Sequence, residues 1–231
     1  MSTETQNLAT PRDRDVTLAD LDAKIGRLPA TATDQCHRLY EFVLANPVSH
    51  VLELGFYHGK SSAYMAAALA AKGRGLITTI DLQSARAYRP SILDVAAMTA
   101  LAPYIKPIFS KVGSAWEMRK MIVERTEVGS HCDPAFDFCF IDAFHSWESA
   151  GIDFFLADKL LKPGGWLLFD DIQWSFEASP SWSTLSSTKA MAPDYRSAQQ
   201  VGDVFRYLVM QHPGYENCRI EDNWGWAQKK R

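Results

Sequence analysis

The sequence of 231 residues predicts an α/β protein with a doubly wound, mostly parallel sheet and helices on both of its faces. Through residues 48–171, short apolar runs of strand length alternate with segments of helical spacing, the pattern of successive strand–helix–strand units. Two runs end directly in acid: Asp142 follows residues 136–141, and Asp170 and Asp171 follow residues 166–169. Because parallel strands point their carboxyl ends the same way, these carboxylates are expected to meet at one rim of the sheet, where ligands bind.

The composition is that of an ordinary globular enzyme, with 47% apolar and 22% charged residues and a formal net charge of −3. No block of like charges is present, so binding to nucleic acid or to an anionic membrane surface is not expected. No apolar run approaches the ~20 residues that a membrane span needs. The four cysteines lie far apart without a Cys-x-x-Cys pair, which predicts reduced thiols in a cytoplasmic protein.

The chain is predicted to form one domain over residues 16–231, preceded by a disordered, polar stretch at residues 1–15 that lacks the apolar segment of a signal peptide. Residues 16–46 are expected to be an N-terminal helical extension with helices at 17–26 and 33–44, capped by Thr17 and Thr33. These helices either cover the ligand side of the sheet or only pack against it.

The remaining elements follow the same alternation up to the second acid-ended strand. Predicted strands are 48–54, 76–80 and 107–112, and predicted helices are a segment ending at 71, 92–101, 117–127 and 146–161, with a turn at 113–116. Residues 172–196 are rich in Ser, Pro and Trp without a clear period, and a loop of this length predicts a substrate lid. A helix at 198–210 and two short antiparallel strands, 216–220 and 224–228, complete the sheet.

A glycine loop, residues 55–61, follows the first strand and reads G-x-x-x-G-K-S. A phosphate-binding P-loop needs four residues between its glycines, and a dinucleotide fingerprint needs G-x-G-x-x-G, so this loop is predicted to hold a ligand without phosphates. Glu53, just before the loop, would repel a pyrophosphate, whereas Asp81 at the end of the second strand is placed to bind ribose hydroxyls. S-adenosylmethionine is such a ligand, a nucleoside with a ribose diol, an ammonium and a sulfonium but no phosphate.

Four segments in order, VLELGFYHGKSS, LITTIDL, FCFIDAFHSW and LLKPGGWLLFDDI, resemble the class I S-adenosylmethionine-dependent methyltransferases over residues 48–171. Within that class they are most similar to the metal-dependent O-methyltransferases related to the macrolide-sugar and catechol enzymes. The resemblance implies a seven-stranded Rossmann-like sheet of order 3-2-1-4-5-7-6, S-adenosylmethionine as cofactor, a small-molecule acceptor and a homodimer.

The resemblance also assigns cofactor contacts position by position. The residues expected around the methionine part of the cofactor are Glu53, Gly55, Tyr57, Gly59 and Ser61. The residue expected at the ribose is Asp81. Near the adenine it places Ser114, Ala115, Trp116 and Phe144, with Asp142 also at the cofactor. Many class I members carry an acidic residue just after the third strand, where this chain has Ser114 and Ala115, and this departure leaves contacts to the adenine amino group unassigned.

The three aspartates at the rim, Asp142, Asp170 and Asp171, suit Mg²⁺, which prefers oxygen ligands, and the resemblance assigns a metal to the same positions. Alternatively, Asp170 and Asp171 cap a turn or pair with Lys or Arg. His145 follows Asp142 by three residues, where the macrolide-sugar branch has histidine and the catechol branch has lysine as general base. With a reference pKa near ~6.5 an imidazole can accept a proton at neutral pH, although a lone histidine is also compatible with a surface or helix-capping role.

The acceptor site is expected to be walled by aromatic residues of the lid and of the helix after Asp142, namely Trp147, Trp174 and Trp182, although Trp147 on a helix face is also compatible with a core position. The predicted activity is Mg²⁺-dependent O-methylation of a sugar, phenolic or natural-product hydroxyl, with His145 and Asp142 as catalytic residues. Three alternatives remain open: a metal-independent N- or O-methyltransferase of the same fold, a P-loop-like nucleotide enzyme, and a cofactor-binding module without turnover.

Overall fold

The computed structural model describes residues 16–128 and 130–231, so the predicted disorder of residues 1–15 lies outside the described residues. A single seven-stranded sheet has the order β3-β2-β1-β4-β5-β7-β6, as predicted. The strands are β1 (His50–Leu54), β2 (Leu76–Leu82), β3 (Ile105–Ser110), β4 (Phe136–Ile141), β5 (Leu161–Phe169), β6 (Tyr215–Glu221) and β7 (Trp224–Lys229). The first five are parallel, whereas β7 pairs antiparallel with both β5 and β6.

Helices cover both faces of the sheet. They are α1 (Leu18–Ile25), α2 (Thr33–Ala45), α3 (Lys60–Ala71), α4 (Ile92–Met98), α5 (Ser114–Glu124), α6 (Trp147–Leu160), α7 (Ser186–Lys189), α8 (Pro193–Ser197) and α9 (Gln200–Asp203), and a π-helical segment, Val204–Val209, continues α9. Two 3₁₀ turns, Gln83–Ala87 and Ala102–Tyr104, flank α4. None of the helices in the described ranges has both the length and the apolar character required to cross a bilayer.

The sheet separates two apolar layers, which explains why its central strands read as continuous apolar runs rather than alternating ones. One layer contains α1 to α4, and its centre is α3, whose small alanines from Ala63 to Ala68 are at most 1% exposed. The other layer contains α6 and the π-helical segment, with Phe154 and Phe205 fully buried. Because α3 is buried on every side, the loop that precedes it is held rigidly against the sheet.

Some predicted boundaries were wrong, each for a local reason. Thr17 caps α1 as predicted, but the cap of α2 is Ala32, because the Thr33 hydroxyl donates to the Gly26 carbonyl at 3.0 Å. The predicted turn at 113–116 is the first turn of α5, which begins at Ser114. Strand β5 begins at Leu161, five residues before the predicted start at residue 166. The register between β4 and β5 shifts between residues 136 and 138, and this irregularity lets residues 161–165 belong to the strand.

Two further differences concern the ends of the sheet. Strand β3 includes Pro107, which is tolerated because β3 is an edge strand and needs no hydrogen-bond donor on its open side. The segment 172–196, predicted as a loop without secondary structure, contains α7 and part of α8. Neither helix exceeds five residues, so the segment still lies over the rim as an irregular connection between β5 and α9.

Candidate active site

The glycine loop after β1 forms the floor of a cleft at the carboxyl ends of the strands. Gly55 has φ +87°, and a Cβ built on it would lie 1.9 Å from the backbone oxygen of Asp142 at the end of β4. Gly59 has φ +86°, and its Cβ would lie 2.5 Å from the side chain of Ile92. Only glycine combines this left-handed backbone conformation with such close contacts to neighbouring atoms. The loop therefore packs against the end of β4 and against α4 at distances that a side chain at either position would prevent.

The cleft has a volume of about 650 Å³. It brings together most of the predicted cofactor and acceptor residues: Gly55, Tyr57, Ser61, Asp81, Ser114, Ala115, Asp142, Phe144, His145 and Trp182. The other predicted residues do not line it: Glu53, Gly59, Trp116, Trp147, Asp170, Asp171 and Trp174. A cavity of this size at the strand ends matches the usual position of small-molecule sites in α/β sheets.

Glu53 lies beneath the cleft and is 0% exposed. Its carboxylate accepts hydrogen bonds from the hydroxyls of Ser61 at 2.6 Å, Thr79 at 2.6 Å, and Ser62. Burial raises the pKa of Glu53, and the three hydroxyl donors oppose that increase. The structure therefore shows Glu53 positioning Ser61 at the cleft wall, while its predicted direct contact with the cofactor stays a prediction.

Asp81 at the end of β2 supports the glycine loop from the side. Its Oδ2 accepts from the backbone N–H groups of Phe56 at 3.0 Å and Tyr57 at 2.7 Å, and Oδ1 accepts from the N–H of Leu82 at 2.6 Å. Asp81 also lines the cleft, where its predicted role is to bind ribose hydroxyls. The same carboxylate thus fixes the loop and faces the ligand space.

The connection between α1 and α2 closes one side of the cleft, which it lines with Pro29, Ala30 and Thr31. Lys60, the first residue of α3, is 5% exposed, and its Nζ donates to Gly26 O at 2.8 Å, Leu28 O at 3.2 Å and Thr33 Oγ1 at 3.1 Å. The amine of Lys60 thus donates hydrogen bonds to three oxygens of the N-terminal extension. It is not free for the phosphate-binding role that a P-loop lysine would have.

The acidic rim brings the side chains of Asp142, His145 and Asp171 together. One potential ligand atom from each lies within 4.8 Å of the other two. The Nε2 of His145 lies 3.0 Å from Asp171 Oδ2 and 4.0 Å from Asp142 Oδ1, yet this buried nitrogen has no aligned hydrogen-bond partner among the described residues. Burial, followed by the charges of Asp170 and Asp171, raises the pKa of Asp142 well above its usual range.

Asp170, the third predicted metal ligand, faces a different direction. Its Oδ1 accepts from the indole N–H of Trp224 and from the backbone N–H of Asp171, both at 2.8 Å. Burial and then the Asp171 charge raise the pKa of Asp170 to about 7, which the two donors only partly offset. Asp171 has φ +56°, and its Oδ1 accepts from Asn223 Nδ2 at 2.7 Å. The rim is therefore a cluster of carboxylates with excess negative charge, the arrangement that a cation stabilises.

Aromatic side chains of the segment after β5 surround the imidazole. The Trp174 ring stacks on His145 with a centroid distance of 4.8 Å and an interplanar angle of 29°. Trp182 packs edge-on against Phe144 at 5.8 Å and against Phe176 at 5.5 Å. Trp147 points elsewhere: it is 39% exposed, does not line the cleft, and its backbone N–H donates to Gln200.

Sequence reasoning assigned no role to several residues that line the cleft, among them the three of the α1–α2 connection, Tyr88 and Asp153. Asp153 lies in the middle of α6 within an ordinary helical pattern. The one sequence feature that could have indicated a function was an acidic residue on the apolar face of a predicted helix. In the sequence pattern G-x-x-x-G-K-S, Lys60 stands where a P-loop has its lysine. Its true partners lie 27 to 34 residues earlier in the chain, beyond any local pattern.

Comparison with solved structures finds the same fold in proteins of low sequence identity. An O-methyltransferase from Bacillus cereus in complex with SAH is 19% identical, with 96% of this chain and 94% of that chain covered and a TM-score of 0.59. A putative caffeoyl-CoA O-methyltransferase from Staphylococcus aureus is 18% identical, with 95% and 93% covered and a TM-score of 0.61. MycE methyltransferase from the mycinamycin biosynthetic pathway, in complex with Mg, SAH and mycinamycin VI, is 17% identical at a TM-score of 0.55, with 93% of this chain but 54% of that chain covered.

No curated protein sequence matches the chain. A family model described as a methyltransferase domain matches residues 52–172, which is more than half of the sequence and spans the glycine loop, α6 and the acidic rim. The sheet order and the resemblance inferred from the four motifs agree with this match. The chain therefore belongs to the methyltransferase-domain family and is a class I methyltransferase in fold.

Proposed function

We propose that the protein transfers a methyl group from S-adenosylmethionine to a hydroxyl of a small molecule, with a divalent cation, Mg²⁺, at the acidic rim. The observation that carries the proposal is the gathering of Asp142, His145 and Asp171 within 4.8 Å of one another beside the cleft of the methyltransferase domain. Two structurally similar proteins, from B. cereus and S. aureus, are described as O-methyltransferases, the second as a putative one, and the MycE structure contains Mg.

The residues at the rim fit a divalent cation. Two carboxylates with raised pKa values, Asp142 and Asp170, lie beside a third, Asp171, and no lysine or arginine of the described residues pairs with any of them. Asp142 and Asp171 would hold the ion, and Asp170 adds its charge and keeps Oδ2 free of hydrogen bonds from described residues. A bound cation would lower the pKa of the acceptor hydroxyl and orient it.

His145 is the proposed general base. Its Nε2 faces the rim without an aligned hydrogen-bond partner among the residues that the structure describes, and the stacked Trp174 ring holds the plane of the imidazole. The acceptor O–H gives its proton to this nitrogen, the oxygen forms a bond to the methyl carbon, and the carbon–sulfur bond breaks to leave a neutral thioether. General bases of this kind contribute roughly 10²–10⁴-fold to the rate.

The cleft is the proposed site of both the methyl donor and the acceptor. Backbone groups of the glycine loop, Ser61 and Asp81 would contact the amino-acid and ribose parts, Phe144 would contact the adenine, and Trp182 would contact the acceptor. The acceptor is proposed to be a small molecule with a hydroxyl, such as a sugar, a phenol or another natural product. Cytoplasmic location and a homodimer, both expected from the sequence, belong to the same proposal.

The test is methyl transfer from labelled S-adenosylmethionine to catechol and to a sugar diol, with Mg²⁺ and with EDTA, together with calorimetric binding of S-adenosylhomocysteine. We expect the nucleoside to bind without metal and transfer to require it. Transfer that survives both EDTA and Asp171→Asn would select a metal-independent methyltransferase. Binding of ATP, and not of S-adenosylhomocysteine, would overturn the proposal.

A further inference from the structure

One carboxylate of the cleft has no role in the proposed reaction. Asp153, in α6, is 2% exposed, and its Oδ1 accepts a hydrogen bond from Ser114 Oγ at 2.8 Å. Among the described residues no other group donates to this carboxylate, and no lysine, arginine or histidine pairs with it. Burial raises the pKa of Asp153 to about 6, and the Ser114 hydroxyl opposes that increase only in part.

A buried carboxylate without a cation or a full set of donors lowers the stability of the fold, so it requires a reason. Glu53 provides a comparison, because it is also a buried carboxylate of this protein. Three hydroxyls donate hydrogen bonds to Glu53, so its oxygens are satisfied within the fold. Asp153 has one donor and lines the cleft. Its second oxygen is therefore available to a ligand.

The surroundings of Asp153 define the chemistry of that ligand. Besides Asp153, the cleft is lined by apolar groups: Val112, Ala115, Phe144 and Ile152. A ligand with flat, apolar faces and an edge that donates a hydrogen bond fits these apolar residues and the second oxygen of Asp153. An aminopurine has both properties.

The sheet order determines which end of the nucleoside reaches Asp153. Along the carboxyl edge, the acidic rim lies at β4 and β5, the glycine loop at β1, and Asp81 at β2. Ser114 lies four residues beyond the end of β3, at the start of α5. The sulfonium must lie near the rim, where the acceptor is activated, and the ribose near Asp81. The base then extends toward Ser114 and the carboxylate bonded to it.

We propose that Asp153 accepts a hydrogen bond from the exocyclic amino group of the cofactor's adenine and so selects an aminopurine over a 6-oxopurine. This assignment rests on the proposed function, since it takes S-adenosylmethionine as the ligand of the cleft. Ser114 positions the carboxylate through its hydroxyl. The carboxylate that recognises the base thus belongs to the helix after β4 and not to the segment after β3.

The experiment measures Kd by calorimetry for S-adenosylhomocysteine and S-inosylhomocysteine with the wild-type protein, with Asp153→Asn and with Asp158→Asn. Asp158 is a matched control because it lies in the same helix but pairs with Tyr215 and Lys229 away from the cleft. The wild-type protein and Asp158→Asn should bind the adenine ligand about 10-fold or more tightly than the inosine ligand. In Asp153→Asn this ratio should fall toward one or reverse, because the new amide donates to the 6-oxo group.

Equal binding of both ligands by the wild-type protein, or an equal loss for both ligands in Asp153→Asn, would overturn the assignment while leaving the proposed function intact. If neither ligand binds the wild-type protein, the proposed function itself fails. Should Asp153→Asn not fold, the wild-type protein is titrated with the analogue whose amino group is dimethylated and donates no hydrogen bond. Undiminished affinity for that analogue would also overturn the assignment.

Discussion

The Nε2 of His145 lies 3.0 Å from Oδ2 of Asp171, although the two residues come from opposite sides of α6 in the sequence and meet only at the ends of β4 and β5. The nitrogen has no aligned hydrogen-bond partner among the described residues, and the ring is stacked on Trp174. A histidine held in this way beside carboxylates can either accept a proton or bind an ion. Replacement of His145 separates these two roles.

Replacing His145 by glutamine should lower kcat for methyl transfer to a diol acceptor by about 10²–10⁴-fold, because the proton of the hydroxyl loses its acceptor. Kd for S-adenosylhomocysteine and the affinity for Mn²⁺, measured by electron paramagnetic resonance, should stay within about threefold. His50→Gln, at the opposite end of the sheet and exposed, is the control and should keep full activity. A marked loss of Mn²⁺ affinity in His145→Gln would identify this residue as a ligand and not as the base.

The pKa of Asp170, raised to about 7 by burial and by the Asp171 charge, makes the metal-free protein pH-sensitive. A raised pKa means that the folded protein binds this proton more tightly than the unfolded chain, in which an aspartate titrates near ~3.9. The stability that results is present below about pH 4 and is lost as the pH rises through about 7. We therefore compare the unfolding free energy of Asp170→Asn with that of the wild-type protein in EDTA. As the pH rises from 5 to 8, the difference should shift in favour of the variant by on the order of 2 kcal/mol.

Denaturant unfolding at the two pH values measures this difference. The variant keeps an oxygen that accepts from Trp224, so the comparison isolates the charge. Adding Mg²⁺ at pH 8 should stabilise the wild-type protein more than the variant. Asp222→Asn, in an exposed turn, is the control and should show no such dependence. A wild-type protein that loses no stability relative to Asp170→Asn between these pH values would contradict the prediction.

Lys60 joins the N-terminal extension to the floor of the cleft through three hydrogen bonds. Lys60→Met should lower the unfolding free energy by about 2–4 kcal/mol, because two backbone carbonyls lose a charged donor. It should also weaken S-adenosylhomocysteine binding, since the connection that contains Pro29 and Thr31 is no longer held at the cleft.

A matched control for Lys60 exists at the other end of α3. The Nζ of Lys72 donates to three carbonyls, Val43 O at 3.0 Å, Asn46 O at 2.6 Å and Val48 O at 2.8 Å, but Lys72 does not line the cleft. Lys72→Met should destabilise the protein to a similar degree and leave Kd unchanged. Equal effects of both substitutions on Kd would show that Lys60 acts through stability alone.

Gly55 is predicted to tolerate no side chain. In Gly55→Ala the new Cβ would lie 1.9 Å from Asp142 O, so either the loop or the end of β4 must move and S-adenosylhomocysteine binding should be lost. Gly73→Ala is the control: it also has positive φ, +67°, but apart from its chain neighbours no atom of the described residues lies within 4 Å of the added Cβ. It should cost about 1 kcal/mol of unfolding free energy and leave binding intact. Binding by Gly55→Ala at the wild-type Kd would contradict the prediction.

Local patterns predicted the alternation of strands and helices, the exact bounds of β4, and the position of the carboxylates at one rim. These features follow from apolar runs and from the parallel direction of the strands, which adjacent residues determine. The start of β5 depends on a register irregularity with β4, and the cap of α2 depends on the hydrogen bonds of the Thr33 hydroxyl with Gly26 and Lys60, which no local pattern shows. The metal and cofactor roles of the predicted residues remain proposals that the experiments above address.

Periodicity in the amino-acid sequence by itself determined the fold class, because it is a property of neighbouring residues, and the resemblance of four segments to the class I methyltransferases supplied the strand order and the family. Only the tertiary structure decided which side chains meet. It encloses Glu53 beneath Ser61, turns Asp170 toward Trp224, and brings Asp153 of α6 to Ser114 of α5 at the cleft. Such contacts depend on how separate elements pack against the sheet, and packing directions are not encoded in any single stretch of the chain.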